Sequence, residues 1–139
     1  MGVVYVIFPC YNEEEGLEKL IGRFVRMQKI AKFCMKLVVV NDGSSDHTLQ
    51  VLRSFENEIP IHLIDFENNR GVAAVFNAAF EYVCLCMNDE EDAIVSIDAD
   101  NTMNPFTILD MVEALKTSEI VIASRFTEGG KMLGAGYRA

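Results

Sequence analysis

Leu37-Val38-Val39-Val40-Asn41-Asp42-Gly43-Ser44-Ser45-Asp46 is the stretch whose reading decides the fold. Its first four residues form an apolar run without polar alternation, the pattern of a strand covered on both faces, and strands of that kind belong to parallel sheets. The remainder is turn chemistry leading into a helix, with Ser45 or Asp46 as the expected cap. Four similar apolar runs lie outward from it, at Val3 to Pro9, Ile59 to Ile64, Ala93 to Ile97 and Ile120 to Ala123. Between them apolar residues recur at helical spacing. These stripes are Leu17, Leu20, Ile21, Phe24 and Val25; then Val51, Leu52 and Phe55; then Val72, Val75, Phe76, Ala79 and Val83; and finally Ile108, Leu109, Val112 and Leu115. Strands joined by helical crossovers predict right-handed βαβ units and an α/β fold: an open, doubly wound, mostly parallel sheet with helices on both faces.

The chain has 139 residues, half of them hydrophobic and 24% charged, enough for one domain with its own core and inconsistent with a disordered or repetitive protein. Twelve Lys and Arg against twenty-one Asp and Glu give a formal charge of -9, the wrong sign for gripping nucleic acid or an anionic membrane. A phosphate-bearing ligand would need a cation or well-placed local donors. Cys10, Cys34, Cys84 and Cys86 show no zinc or redox spacing and predict free thiols in a reducing compartment, with Cys84 and Cys86 buried as small hydrophobes. The first ten residues lack a basic leader and soon meet Glu13, Glu14 and Glu15. The run from Val72 to Met87 is interrupted by Asn77 and Glu81 and is too short to span a bilayer. Residues 1–126 are expected to form the core. Residues 127–139, with four glycines, are expected to form a loop leading to a missing C-terminal part.

Ligands of open α/β sheets bind beyond the carboxyl ends of the strands. The polar residues of this sequence collect there. The first strand ends in Pro9-Cys10-Tyr11-Asn12-Glu13-Glu14, the second in Asn41-Asp42, the fourth in Asp98-Ala99-Asp100-Asn101 and the fifth in Ser124-Arg125. Asp98 and Asp100 form an oxygen-donor pair suited to Mg²⁺ or Mn²⁺, which are held by one or two carboxylates plus substrate phosphates. The alternative is turn chemistry and capping of a helix beginning near Pro105. Asp42 only accepts hydrogen bonds, so facing a nucleobase it would select the ring N–H of uracil or guanine. Asn12 is a candidate cap for the first helix, with Glu14 and Glu15 favouring its positive end. Arg70 beside Gly71 could meet an anion, and Arg125 could neutralise a phosphate. His47 and His62 suggest no chemistry.

These segments, with Asn69-Arg70-Gly71, Asn77 and Gly129-Gly130, resemble the family 2 glycosyltransferases, nearest the branch of dolichyl-phosphate mannose synthase and the polyprenyl-phosphate glycosyltransferases. The resemblance implies the GT-A fold, a nucleotide-diphosphate sugar donor and a divalent metal, Mg²⁺ or Mn²⁺. It implies that Pro9, Tyr11 and Glu13 line a nucleoside pocket and that Asp42 contacts the base. Asp98 and Asp100 become the catalytic and metal-binding pair, and Arg70, Gly71, Asn77 and Arg125 accompany the donor. It also implies that the first and fourth strands are neighbours. The acceptor would be polyprenyl phosphate or a glycan, the setting cytoplasmic or the inner face of a membrane, and any membrane association would come through residues absent from this chain. Two positions depart from the family pattern. Thr102 stands where the branch often has a metal-binding Gln, and Asn41 stands where the family has an acidic residue. A nucleotidyltransferase would share the sheet, but it calls for a Gly-rich basic loop after the first strand, and here that loop is acidic. A non-catalytic Mg²⁺-binding module would leave Tyr11 and Asn77 without a role.

Overall fold

The computed structural model describes residues 2–124 and 126. The elements run β1 (Val3–Cys10), α1 (Glu14–Gln28), β2 (Cys34–Asp42), α2 (Thr48–Ser54), β3 (Ile61–Phe66), α3 (Val72–Cys86), β4 (Ala93–Ser96) and α4 (Thr107–Ala114). The strands form one sheet in the order β3-β2-β1-β4, and every pairing is parallel. From β1 the chain steps outward to β2 and β3, then returns across the sheet to lay β4 on the other side of β1. The crevice between the carboxyl ends of β1 and β4 is therefore the topological switch point.

Alternation along each strand sends side chains to opposite faces. Tyr5 and Ile7 of β1 join Val38 and Val40 of β2 under Val75, Ala79 and Val83 of α3. On the other face Phe8 stacks on Phe24 of α1, with ring centroids 6.0 Å apart. Leu17, Leu20, Ile21, Phe24 and Met27 give α1 a continuous buried stripe. Helices thus cover both faces, as the unalternating strands predict.

Three expectations need correction. The fifth apolar run forms no strand: residues 120–123 carry no ladder, and Ile120 and Ile122 are 80% and 82% exposed. A strand is stabilised by its neighbour and its burial rather than by β-branched composition, and this run has neither. Cys84 is exposed and Cys86 only half-buried. The inner stripe of α3 runs through Val75, Ala79 and Val83, and each further residue turns about 100° away from it, which points Cys84 outward. Val72 lies on that stripe but stands at the first position of α3, and it is 66% exposed. The described residues fall into two compact units, one ending at Phe106 and the other, which carries α4, beginning at Thr107. Within the second unit Ile108 and Val112 are the buried residues of α4.

Candidate active site

The loops that follow the four strands line one cleft of about 430 Å³. β1 contributes Pro9, Cys10, Tyr11 and Glu13, and β2 contributes Asp42. The loop after β3 brings Asn69 and Gly71, α3 brings Val72 and Val75, and the segment after β4 brings Asp98, Ala99 and Asp100. Tyr11 is 49% exposed, leaving a broad aromatic face available to a ligand. Cys10 is buried, and burial pushes its thiol far above the usual range, so it serves as packing and not as a nucleophile.

Asp42 is only 5% exposed. Its two carboxylate oxygens accept from the Arg70 N–H at 2.7 Å and the Gly71 N–H at 3.0 Å, tying the end of β2 to the start of α3. Gly71 has φ +84, and its open conformation turns the chain into α3. Gly43 has φ +69, and a Cβ there would lie 2.5 Å from the carbonyl carbon of Asn68. Only glycine lets the loop after β2 pass so close to the loop after β3. The Asp42 wall is thus braced by backbone.

Asp98 and Asp100 are exposed, while Ile97 and Ala99 between and before them are buried. The strand-like alternation persists past β4, and it presents both carboxylates on the solvent side of the crevice. Asp100 Oδ1 accepts from the Thr102 N–H at 2.9 Å and the Thr102 hydroxyl at 2.7 Å. The next helix, α4, begins only at Thr107. Thr102 therefore orients Asp100. Next along the chain, Asn101 has φ +59, and its Oδ1 is buried without a hydrogen-bond partner.

Glu13 is held above the usual carboxylate range by burial, and then by the negative charges of Asp100, Asp46 and Asp98. Among the described residues no three metal-ligating side chains already converge on one point. The hard oxygen donors of Asp98 and Asp100 fit a Mg²⁺ or Mn²⁺ that draws its remaining ligands from phosphate oxygens and water.

Some sequence candidates lie elsewhere. Arg70 joins the site through its backbone, while its guanidinium stands 4.4 Å from the centroid of the Phe66 ring in a cation–π contact. Asn77 is exposed on α3 and does not line the cleft. Arg125 and Gly129-Gly130 lie outside the described residues. Asn12 is not the cap of α1: it has φ +55, and its Oδ1 accepts from the Ser45 N–H at 2.8 Å. Asp46 caps in two directions, through Oδ1 to the Thr48 N–H at 2.9 Å and Oδ2 to the Glu14 N–H at 3.2 Å. Cleft residues that pattern reading passed over are Cys10, Asn69, Val72, Val75 and Ala99. Cys10, Asn69 and Ala99 are sequence neighbours of residues that were singled out. The two valines read only as core.

Residues 5–137 match the sequence profile of Glycosyl transferase family 2. A dolichol-phosphate mannosyltransferase of Pyrococcus furiosus is 32% identical over 130 residues, covering 93% of this chain and 35% of the relative. An undecaprenyl-phosphate mannosyltransferase of Micrococcus luteus is 30% identical over 131 residues, covering 94% of this chain and 51% of the relative. The chain thus spans between about a third and a half of these relatives' length. Among solved structures, S. aureus TarS 1–349 superposes with a TM-score of 0.64 at 25% identity, over 86% of this chain and 33% of that one. A mannosyltransferase from Pyrobaculum calidifontis, solved with GDP-Man and Mn²⁺, superposes with a TM-score of 0.65 at 24% identity, over 83% of this chain and 32% of that one. The parallel sheet, its switch-point cleft and the sequence match agree, and the chain belongs to glycosyltransferase family 2.

Proposed function

We propose that the chain is the donor-binding part of an inverting glycosyltransferase that takes a UDP- or GDP-sugar and delivers the sugar to polyprenyl phosphate or a glycan. The observation that carries this reading is the meeting of Tyr11, Asp42, Asp98 and Asp100 in one cleft at the switch point of the sheet. The base lies against the Tyr11 ring. Asp42, fixed by two backbone N–H groups, turns its remaining lone pairs to the ring N–H of uracil or guanine. Pro9 and Glu13 complete the nucleoside side, and Gly71 admits the ligand close to the start of α3.

Asp98 and Asp100 are the residues that would hold Mg²⁺ or Mn²⁺, and such an ion supplies Lewis-acid stabilisation of the departing diphosphate. In the displacement the acceptor oxygen bonds to the anomeric carbon as the bond to the diphosphate oxygen breaks, and the diphosphate leaves with the electron pair. A phosphate acceptor is already an anionic nucleophile and needs no proton removed, whereas a sugar hydroxyl needs a base to take its proton. The names of the two mannosyltransferase relatives support the phosphate acceptor. No helix among the described residues is long and apolar enough to cross a membrane. On this reading the cleft works in the cytoplasm, at the inner face of a membrane, where nucleotide sugars and free thiols coexist.

Calorimetry with UDP and with GDP, each with and without Mn²⁺, tests the proposal. Binding of one nucleotide that requires Mn²⁺ and is lost in Asp100→Ala supports it. A folded protein that binds neither, or binds equally well without the ion, overturns it.

A further inference from the structure

A helix leaves its first N–H groups without intrahelical acceptors, and ordinarily the side chain at the capping position supplies one. In α1 that position is Glu13, and its side chain makes no capping bond; it lines the cleft instead. Acceptors come from the loop after β2 and from Thr48, the first residue of α2. Three successive N–H groups leading into α1 donate to them: Asn12 to Ser44 Oγ at 3.0 Å, Glu13 to Thr48 Oγ1 at 2.8 Å and Glu14 to Asp46 Oδ2 at 3.2 Å. The loop answers through the Ser45 N–H, which donates to Asn12 Oδ1 at 2.8 Å, and the His47 N–H, which donates to Glu14 Oε2 at 2.7 Å.

This lacing joins the two walls of the cleft, since one strand of it begins at Tyr11 and the other at Asp42. Thr48 is completely buried, so its hydroxyl has no water to fall back on. Burial acts to raise the pKa of Asp46, but the bonds from the Thr48 hydroxyl, the Thr48 N–H and the Glu14 N–H outweigh it and hold the carboxylate below its usual range.

We propose that Thr48 and Asp46 are positioning residues for the nucleotide: by capping α1 from the neighbouring loop they free Glu13 for the cleft and fix the spacing between the Tyr11 lip and the Asp42 wall. The inference rests on the donor-binding reading above. It assigns a binding function to two residues that touch no ligand and that act through Glu13 and Glu14.

The test compares wild type, Thr48→Val and Thr48→Ser by calorimetry with UDP and GDP in Mn²⁺, with the urea midpoint of each recorded. Valine keeps the shape and deletes the acceptor, so nucleotide binding at a denaturant-free, fully folded baseline is expected to weaken about tenfold. Serine, which keeps the hydroxyl, is expected to restore it. Should Thr48→Val fail to fold, Asp46→Ala removes the acceptor of the Glu14 N–H and is expected to weaken binding several-fold. Binding at the wild-type level in Thr48→Val, or in Asp46→Ala where that variant stands in, overturns the positioning role while leaving the donor reading intact. A wild type that binds neither nucleotide overturns both.

Discussion

The two ends of this sheet use the same kind of side chain for opposite purposes. At the amino-terminal end Asp92, just before β4, accepts from the Val3 N–H at 2.6 Å and from the Asn88 and Asp89 N–H groups at 3.1 and 3.4 Å. The Val3 bond leads in holding its carboxyl below the usual range. Nearby, the Lys36 ammonium donates to the Tyr82 hydroxyl, and the Tyr82 ring stacks on His62. The charged groups there have hydrogen-bond partners. At the carboxyl-terminal end Glu13 is pushed the other way, by burial and by Asp100, Asp46 and Asp98. Repulsion of that kind opposes folding, and a cleft that gathers it fits a positively charged ligand.

The largest effect that separates the two ends is expected from Asp98→Asn combined with Asp100→Asn. Metal-dependent nucleotide binding should fall by at least about 100-fold, while the urea midpoint holds or rises because repulsion on Glu13 is relieved. Calorimetry and denaturation on the same sample check both halves. Next comes Gly43→Ala, which meets a positive φ and the Asn68 backbone at once. It should cost about 2 kcal/mol or more of stability by urea titration, and it should weaken binding as well because the Asp42 wall shifts.

A third, smaller contrast is in pH. Glu13 is raised in the folded state, so the native protein holds the extra proton: stability is fully present below the ordinary carboxylate pKa of 4.5 and declines as pH rises through the raised value. Asp92 is lowered, so its contribution is present above 3.8 and is lost as pH falls through its depressed value. Urea midpoints across pH 3 to 7 should flatten at the upper end in Glu13→Gln and at the lower end in Asp92→Asn, and nucleotide affinity should change only in the former. The smallest effect is expected from His47→Ala. Its pair with Glu14 at 2.9 Å is exposed, and removing the ring should shift stability by less than about 0.5 kcal/mol with binding unaltered.

Much of this was legible in the chain. Four unalternating runs gave β1 to β4, because a strand buried on both faces must be apolar throughout, and the crossover helices between them left little choice but parallel pairing. Tyr11, Glu13, Asp42, Asp98 and Asp100 could be found because they stand directly after those strands. What could not be read was long-range. The caps of α1 come from residues more than thirty positions away, so local pattern pointed to Asn12 instead. Arg70 turned to the Phe66 ring, a contact that no spacing reveals. The run at 120–123 has the composition of a strand, yet composition carries no information about whether a partner lies alongside.

The central claim is that the acidic tip beyond β4 recruits a divalent ion and, through it, a diphosphate. Anomalous diffraction at the manganese edge, from crystals grown with Mn²⁺ and the nucleoside diphosphate that binds, addresses it most directly. The account predicts a single strong peak within bonding distance of Asp98 or Asp100 and of the diphosphate oxygens. A nucleotide lying in the cleft with no peak beside those carboxylates would contradict it.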